Sequence, residues 1–413
     1  MPREIKNNLK KPELIAPAGN WPSLIAAVQN GADGVFFGVK GLNMRNLASN
    51  FDLLEIKKVM AFLREYKKKG YLTLNVVIKN DDILKVKKIL AEAKKAKVDA
   101  VILWDMAVLS LAKQMGLKVH LSTQASVSNI EAIKFYTQLG VKRVVLAREC
   151  TLDDIKKITS QIKKEKIDCE IETFIHGAMC VSISGRCFMS ELTFDKSANR
   201  GECLQPCRRE FVIKDVDNES EYILGKDYVL SPKDLCTIDF IDDLIKSGIH
   251  SLKIEGRMRS PEYIAVTSNV YRRAIDAYFN KKLNASLKKD LRKELAEVYN
   301  RGFSSGFYFG TPQAKDMSKG LGHTFEKVYV GEVKKFYKNL SVADIRVRTG
   351  SIKEGDTILF LGEKTPAYRC KVSEMQTDHE SIQEVKKGEA AGIKLPFIVR
   401  PKDKVFLWKK KQF

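Results

Sequence analysis

Histidine is scarce in this chain, 5 residues in 413, and the H-E-x-x-H pattern that sets two zinc-binding histidines on one helical face is absent. A zinc peptidase of that kind is excluded. Long apolar runs are missing as well. No stretch approaches the roughly 20 uninterrupted apolar residues of a membrane span, and the opening MPREIKNNLKKPELIAPAG lacks the apolar middle of a signal peptide. The expected location is therefore cytoplasmic, with no membrane partner. Carboxylates are in deficit, 51 Asp and Glu against 72 Lys and Arg, which leaves a net charge of +21. A surplus of that size attracts polyanions, and RNA is the first partner to consider. The same lysines recur at helical spacing in YKKKG, VKKIL and LKKDLRKEL, where they serve equally to solvate helix faces.

What is present is enough apolar material, 44% of residues, for one large domain and a smaller one. Eight short apolar runs stand out: ELIAPAG, GVFFGV, YLTLNVVI, AVILWDM, KVHLSTQ, RVVLARE, CEIETFIHG and SLKIEGRM. Helix-period segments such as WPSLIAAVQNGA and DDILKVKKILAEAKKA lie between them. Strands buried on both faces and separated by amphipathic helices are the pattern of parallel βαβ units. Eight such units predict an α/β fold, a (β/α)8 TIM-like barrel. Between FIHG and SLKIEG the alternation breaks for roughly seventy residues, far beyond an ordinary loop, which predicts an inserted element. Past residue 325 the texture changes to VYVGEVKKFY, LSVADIRVR and DKVFLWKKK, short strands without a helix. The expected organisation is a TIM-like barrel over residues 1–324, with a cysteine-rich element at about 176–236, and a small C-terminal all-β barrel domain over 325–413. Within the latter, GSIKEGDTILFLG resembles the small β-barrel of translation factors, a further pointer to RNA.

Barrel enzymes place their chemistry where strands end. The polar residues at those positions are Asn75, Trp104, Asp105, Gln124, Arg148, Glu149, His176, Glu255 and Arg257. Any one of them alone also serves as a structural hydrogen-bonding residue. The eight cysteines are distributed unevenly. Cys150, Cys169 and Cys370 stand alone and read as small apolar residues. The other five, Cys180, Cys187, Cys203, Cys207 and Cys236, crowd the inserted element. A reducing compartment disfavours structural disulfides. The spacing lacks the two tight pairs of a zinc site, whereas an iron–sulfur cluster accepts thiolates converging from several loops. Gly177, Gly185 and Gly201 would let backbone amides approach sulfur, and Arg186 and Arg200 would offset thiolate charge. A Cys180–His176 nucleophile pair would need a helix through FIHGAMC, which its glycine opposes.

Several segments together resemble one family: ELIAPAGNWPSLIAAVQNGADGVFFGVKGLNMRNLASNF, ETFIHGAMCVSISGRCFMSELT, NRGECLQPCRREF, LSPKDLC and LKIEGRMRSPEYIAVTSNVYRRAID. They look like the collagenase-like peptidase family, whose members include oxygen-independent hydroxylation proteins acting on ubiquinone, ribosomal RNA and tRNA. The resemblance implies a barrel carrying a [4Fe-4S] cluster with Cys180, Cys187, Cys203 and Cys236 as metal ligands. Cys207 matches a recurrent family cysteine and is the substitute for Cys203. A basic barrel with an added β-rich domain looks most like the tRNA-hydroxylating branch. That branch converts the wobble uridine to 5-hydroxyuridine with prephenate as co-substrate, the tRNA anticodon loop being the partner and a paralogous family member a second possible one. Arg148, Lys253 and Arg257, at strand ends, are then candidate substrate-binding residues for the dicarboxylate. Gln124, His176 and Glu255 are candidate catalytic proton handlers. Peptide hydrolysis, and hydroxylation of ribosomal RNA or a quinone, are the competing expectations.

Overall fold

The computed structural model describes residues 9–209, 211–224, 230–318 and 320–411. All eight apolar runs are strands: β1 (Glu13–Ala18), β2 (Gly34–Gly38), β3 (Lys69–Thr73), β4 (Ala100–Leu103), β5 (Val119–Leu121), β6 (Val141–Val145), β7 (Glu170–Gly177) and β8 (Ser251–Ile254). Each pairs in parallel with the next, and β8 pairs with both β7 and β1, which closes the barrel. The helices between them form as the residue spacing dictates. In Ile83–Lys95, Val86, Ile89, Leu90 and Ala93 are buried against the strands while Lys94 and Lys95 face the negative end of the helix dipole. Asn20, Asp105, Asn129 and Thr151 cap four helix starts by accepting backbone N–H groups.

Strand alternation sorts the side chains into two sets. Leu14, Leu72, Val101 and Ile171 face the helix layer, whereas Ile15, Phe36, Tyr71, Ala100 and Ile102 form a separate cluster inside the barrel. Below the mouth the interior is ionic. Arg143 donates to Glu13 at 2.7 Å, to Glu170 at 2.5 Å and to Glu172 at 3.1 Å, and Lys253 meets Glu172 at 2.8 Å. A buried network of this kind is sustained only because each charge has a partner.

The inserted element follows β7. It carries a short helix (Met189–Phe194), a two-stranded hairpin (Phe211–Lys214 with Glu221–Leu224) and a strand, Asp234–Cys236, that runs antiparallel to β7. The C-terminal part forms an antiparallel half-barrel sheet of eight strands beginning at Phe325–Tyr337 and ending at Lys404–Lys410. Its own core contains Val333, Ile345, Ile358, Phe360 and Val405. Leu359 and Trp408 belong instead to the barrel's core, and Arg369–Glu297 and Lys327–Glu262 ion pairs, 2.6 and 2.7 Å, flank that contact. Among the described residues no helix is long and apolar enough to cross a membrane.

Candidate active site

A cavity of about 150 Å³ opens at the C-terminal ends of the strands, roofed by the inserted element. Its lining includes Asn75, Gln124, Arg148, Lys253, Glu255 and Arg257 from the strand ends. The roof contributes Cys180, Cys187, Cys203 and Cys207. The roof is pinned to the barrel by backbone. Gly201 has φ of +88°, and a Cβ there would fall on the Asn43 carbonyl, while Asn46 N donates to Gly201 O at 3.0 Å. Only glycine suits that approach.

Three of the sulfurs accept an N–H from the residue two positions on: Ser182 N to Cys180 at 3.5 Å, Met189 N to Cys187 at 3.3 Å and Gln205 N to Cys203 at 3.4 Å. Cys180, Cys187 and Cys203 all lie near enough to Cys207 to act on its charge, and burial pushes the Cys203 and Cys207 thiols up. Arg45, from the loop after β2, brings positive charge to Cys203 and Cys180. The donor set therefore fits an iron–sulfur cluster in kind, number and neighbouring charge. Among the described residues no three His, Cys, Asp or Glu side chains are placed to hold a single metal ion. A cube takes its four thiolates at separate corners, wider apart than the ligands of one ion.

Two expected residues stand elsewhere. Cys236 is 2% exposed and lies in the strand opposite His176, with its sulfur hydrogen-bonded by Tyr271 OH at 3.8 Å, outside the cavity. His176, 1% exposed, packs among Tyr263, Tyr271 and Phe303 on the outer side of the barrel. The cause is a β-bulge: Lys253 pairs with Phe174 but Ile254 pairs with His176, so Ile175 is an extra residue and alternation beyond it reverses. Burial lowers the His176 imidazole to about 3, and it is neutral at pH 7. Arg200 is likewise committed elsewhere, to Asp82 at 2.5 Å, and Asp105 is a helix cap.

The remaining strand-end residues divide by partner. Lys253 is spent on Glu172 and lies over the rings of Phe36 and Phe174, at 4.5 and 5.7 Å. Arg148 donates to Ala178 O at 2.6 Å and stacks on Phe174 at 4.1 Å. Arg257 donates to Thr73 Oγ1 at 3.0 Å and Asn43 Oδ1 at 2.6 Å. Neither has a carboxylate hydrogen-bond partner among the described residues. Burial, with Arg45 nearby, lowers Arg257 to about 9, so it stays charged at neutral pH. Among the described residues Glu255 is the only carboxylate lining the cavity. Burial pushes it up, but Arg45, Arg148 and Arg257 outweigh that and hold it below the usual carboxylate range. Arg45 grips its Oε1 through Nε at 3.0 Å and Nη2 at 2.8 Å. Gln124 accepts at Oε1 from Ser122 and, at 3.2 Å, from Asn75, which leaves its amide N–H groups for a ligand. Arg45 was missed from sequence, although GLNMRNLASN follows a strand as the other site segments do.

A closed parallel barrel with a thiol-bearing roof over an arginine-rich mouth is thus the class that fold and site define. The model of Peptidase family U32 matches residues 19–318, and the chain belongs to that family. It is 42% identical to an uncharacterized protease of Methanocaldococcus jannaschii, over 96% of this chain and 98% of that one. It is 38% identical to a collagenase of Porphyromonas gingivalis, over 98% and 100%. It is also 38% identical to tRNA hydroxylation protein P1 of Bacillus subtilis, over 86% of this chain and 84% of that one.

Proposed function

We propose that this chain is an RNA-modifying enzyme that hydroxylates C5 of the wobble uridine of tRNA, with prephenate as co-substrate. The observation that carries this reading is the cavity itself, where Glu255 faces Arg45, Arg148 and Arg257, and where neither Arg148 nor Arg257 has a carboxylate hydrogen bond among the described residues. Three guanidinium groups against one carboxylate leave a surplus of positive charge that favours a small dianion, and bidentate geometry suits carboxylates. The similarity to a protein named for tRNA hydroxylation supports the substrate class. So does the net charge of +21, which follows phosphates.

A [4Fe-4S] cluster would be held by Cys180, Cys187 and Cys203, with Cys207 the thiol at hand for the fourth position in place of Cys236. When bound, such a group supplies one-electron transfer beside the substrate. The chain's own residues do the rest. Arg148 and Arg257 orient the dianion, Gln124 donates to a uracil carbonyl, and Glu255, held ionised by Arg45, accepts a proton through its free Oε2. A flipped uridine enters from the open side of the mouth.

The similarity to a collagenase raises hydrolysis as a second reading. Among the described residues no histidine lines the cavity and Glu255 is its only acid, so they do not assemble there the pair of acid–base groups used in peptide hydrolysis. The test is mass spectrometry of tRNA nucleosides from a deletion strain and from the same strain complemented with this chain. Loss of 5-hydroxyuridine derivatives and their return on complementation is the expected outcome. Unchanged levels in a strain without paralogues would end the tRNA reading.

A further inference from the structure

The roof loop around Cys187 has two sides. Cys187 lines the cavity, whereas its neighbour Phe188 is 67% exposed to solvent. On the other flank, Arg186 lies over the indole of Trp104, 6.0 Å from the ring, and donates to Ser126 Oγ at 2.9 Å. Trp104 is itself fixed, its Nε1 donating to Asn75 O at 3.2 Å, and the Asn75 side chain lines the cavity. A fixed indole, a guanidinium plane and a bare phenyl ring therefore stand at the rim, each adjacent to cavity-lining residues. An exposed large aromatic at the edge of a cationic cavity is more than scattered surface hydrophobicity, because single-stranded RNA is gripped by such planes and by positive charge.

We propose that Trp104, Arg186 and Phe188 form a stacking platform for the nucleobases flanking the one that enters the cavity. This rests on the RNA reading above. Extruding one base leaves its neighbours unstacked, and the platform offers them π-faces outside the cavity while the target base passes inside. The arginine favours RNA over a protein partner: a guanidinium over an indole, at 6.0 Å, suits a base or phosphate, and the chain's charge has the matching sign. A protein partner would use Phe188 as an apolar plug, for which leucine serves almost as well.

The experiment measures binding of the full-length protein to a synthetic anticodon stem–loop with an unmodified wobble uridine, by fluorescence anisotropy at fixed salt. Phe188→Ala and Phe188→Leu are expected to weaken binding by about tenfold or more. Phe188→Tyr should restore it, and Trp104→Leu should match the loss. Unchanged thermal transitions exclude misfolding, and the exposed Phe188 position makes that control attainable. Equal affinity across the variants overturns the platform and leaves the RNA reading standing. Full binding by Phe188→Leu alone also overturns it, and assigns the surface to apolar protein contact. A wild-type chain that does not bind the stem–loop overturns the RNA reading, and the platform with it.

Discussion

Cys207 and Cys236 differ in surroundings more than in chemistry. Cys207 shares the cavity with Cys180, Cys187 and Cys203, while Cys236 is sealed beneath Tyr271, and burial raises its thiol to about 11. Cys236 thus stands apart from the other thiols in this fold, whereas Cys207 stands among them. Anaerobic reconstitution followed by iron and sulfide assay separates the two. Cys207→Ser is expected to lower bound iron severalfold. Cys236→Ser should leave iron in place and change stability by only about 1–2 kcal/mol, through the lost contact with Tyr271. The reverse pattern would restore Cys236 to the ligand set.

Along one element, depth decides role. On β8 and the loop after it, Lys253 points into the barrel and meets Glu172, while Arg257, past the strand end, faces the cavity with no carboxylate hydrogen bond among the described residues. Removing the Lys253 charge leaves buried Glu172 with Arg143 and the Ser251 hydroxyl, both on Oε2, and strips its Oε1, so Lys253→Met should destabilise the fold by on the order of 3 kcal/mol. Arg257→Gln should leave stability nearly intact, because a desolvated cation is removed, yet weaken prephenate binding about tenfold or more. Urea denaturation and calorimetric titration read the two effects apart. The sequence made the strands themselves legible, since runs buried on both faces need no alignment to be seen, and strand-end position found Gln124, Arg148, Glu255 and Arg257. What stayed hidden was local geometry. A one-residue bulge at Ile175 turns His176 outward, and nothing in EIETFIHG marks an extra residue. Pairings across loops were equally silent: the grip of Arg45 on Glu255 joins positions 210 residues apart.

At the scale of the whole molecule, acid sensitivity follows from groups that the fold keeps in one protonation state. Burial lowers the His176 imidazole to about 3, and lowers the His120 imidazole well below its ordinary value inside the barrel. Burial opposes ionisation of Glu172, but Lys253 and Arg143 outweigh it and hold that carboxyl at about 2. All three act with one sign, because the unfolded chain binds more protons than the native one at each site. The histidines contribute stability that is complete above about pH 6.5 and declines as pH falls below it; Glu172 joins below about pH 4.5. A histidine that titrates only in the unfolded state adds at most about 1.4 kcal/mol per pH unit, so His176 alone contributes roughly 2 kcal/mol between pH 7 and 5. Urea midpoints at pH 7, 6 and 5 measure it. His176→Phe, which keeps a ring among Tyr263, Tyr271 and Phe303 but removes the titrating nitrogen, should lower the slope by about 1 kcal/mol per pH unit. An unchanged slope in that variant would mean that His176 is not held neutral. The packing that turns it away from the cavity would then need to admit a charge.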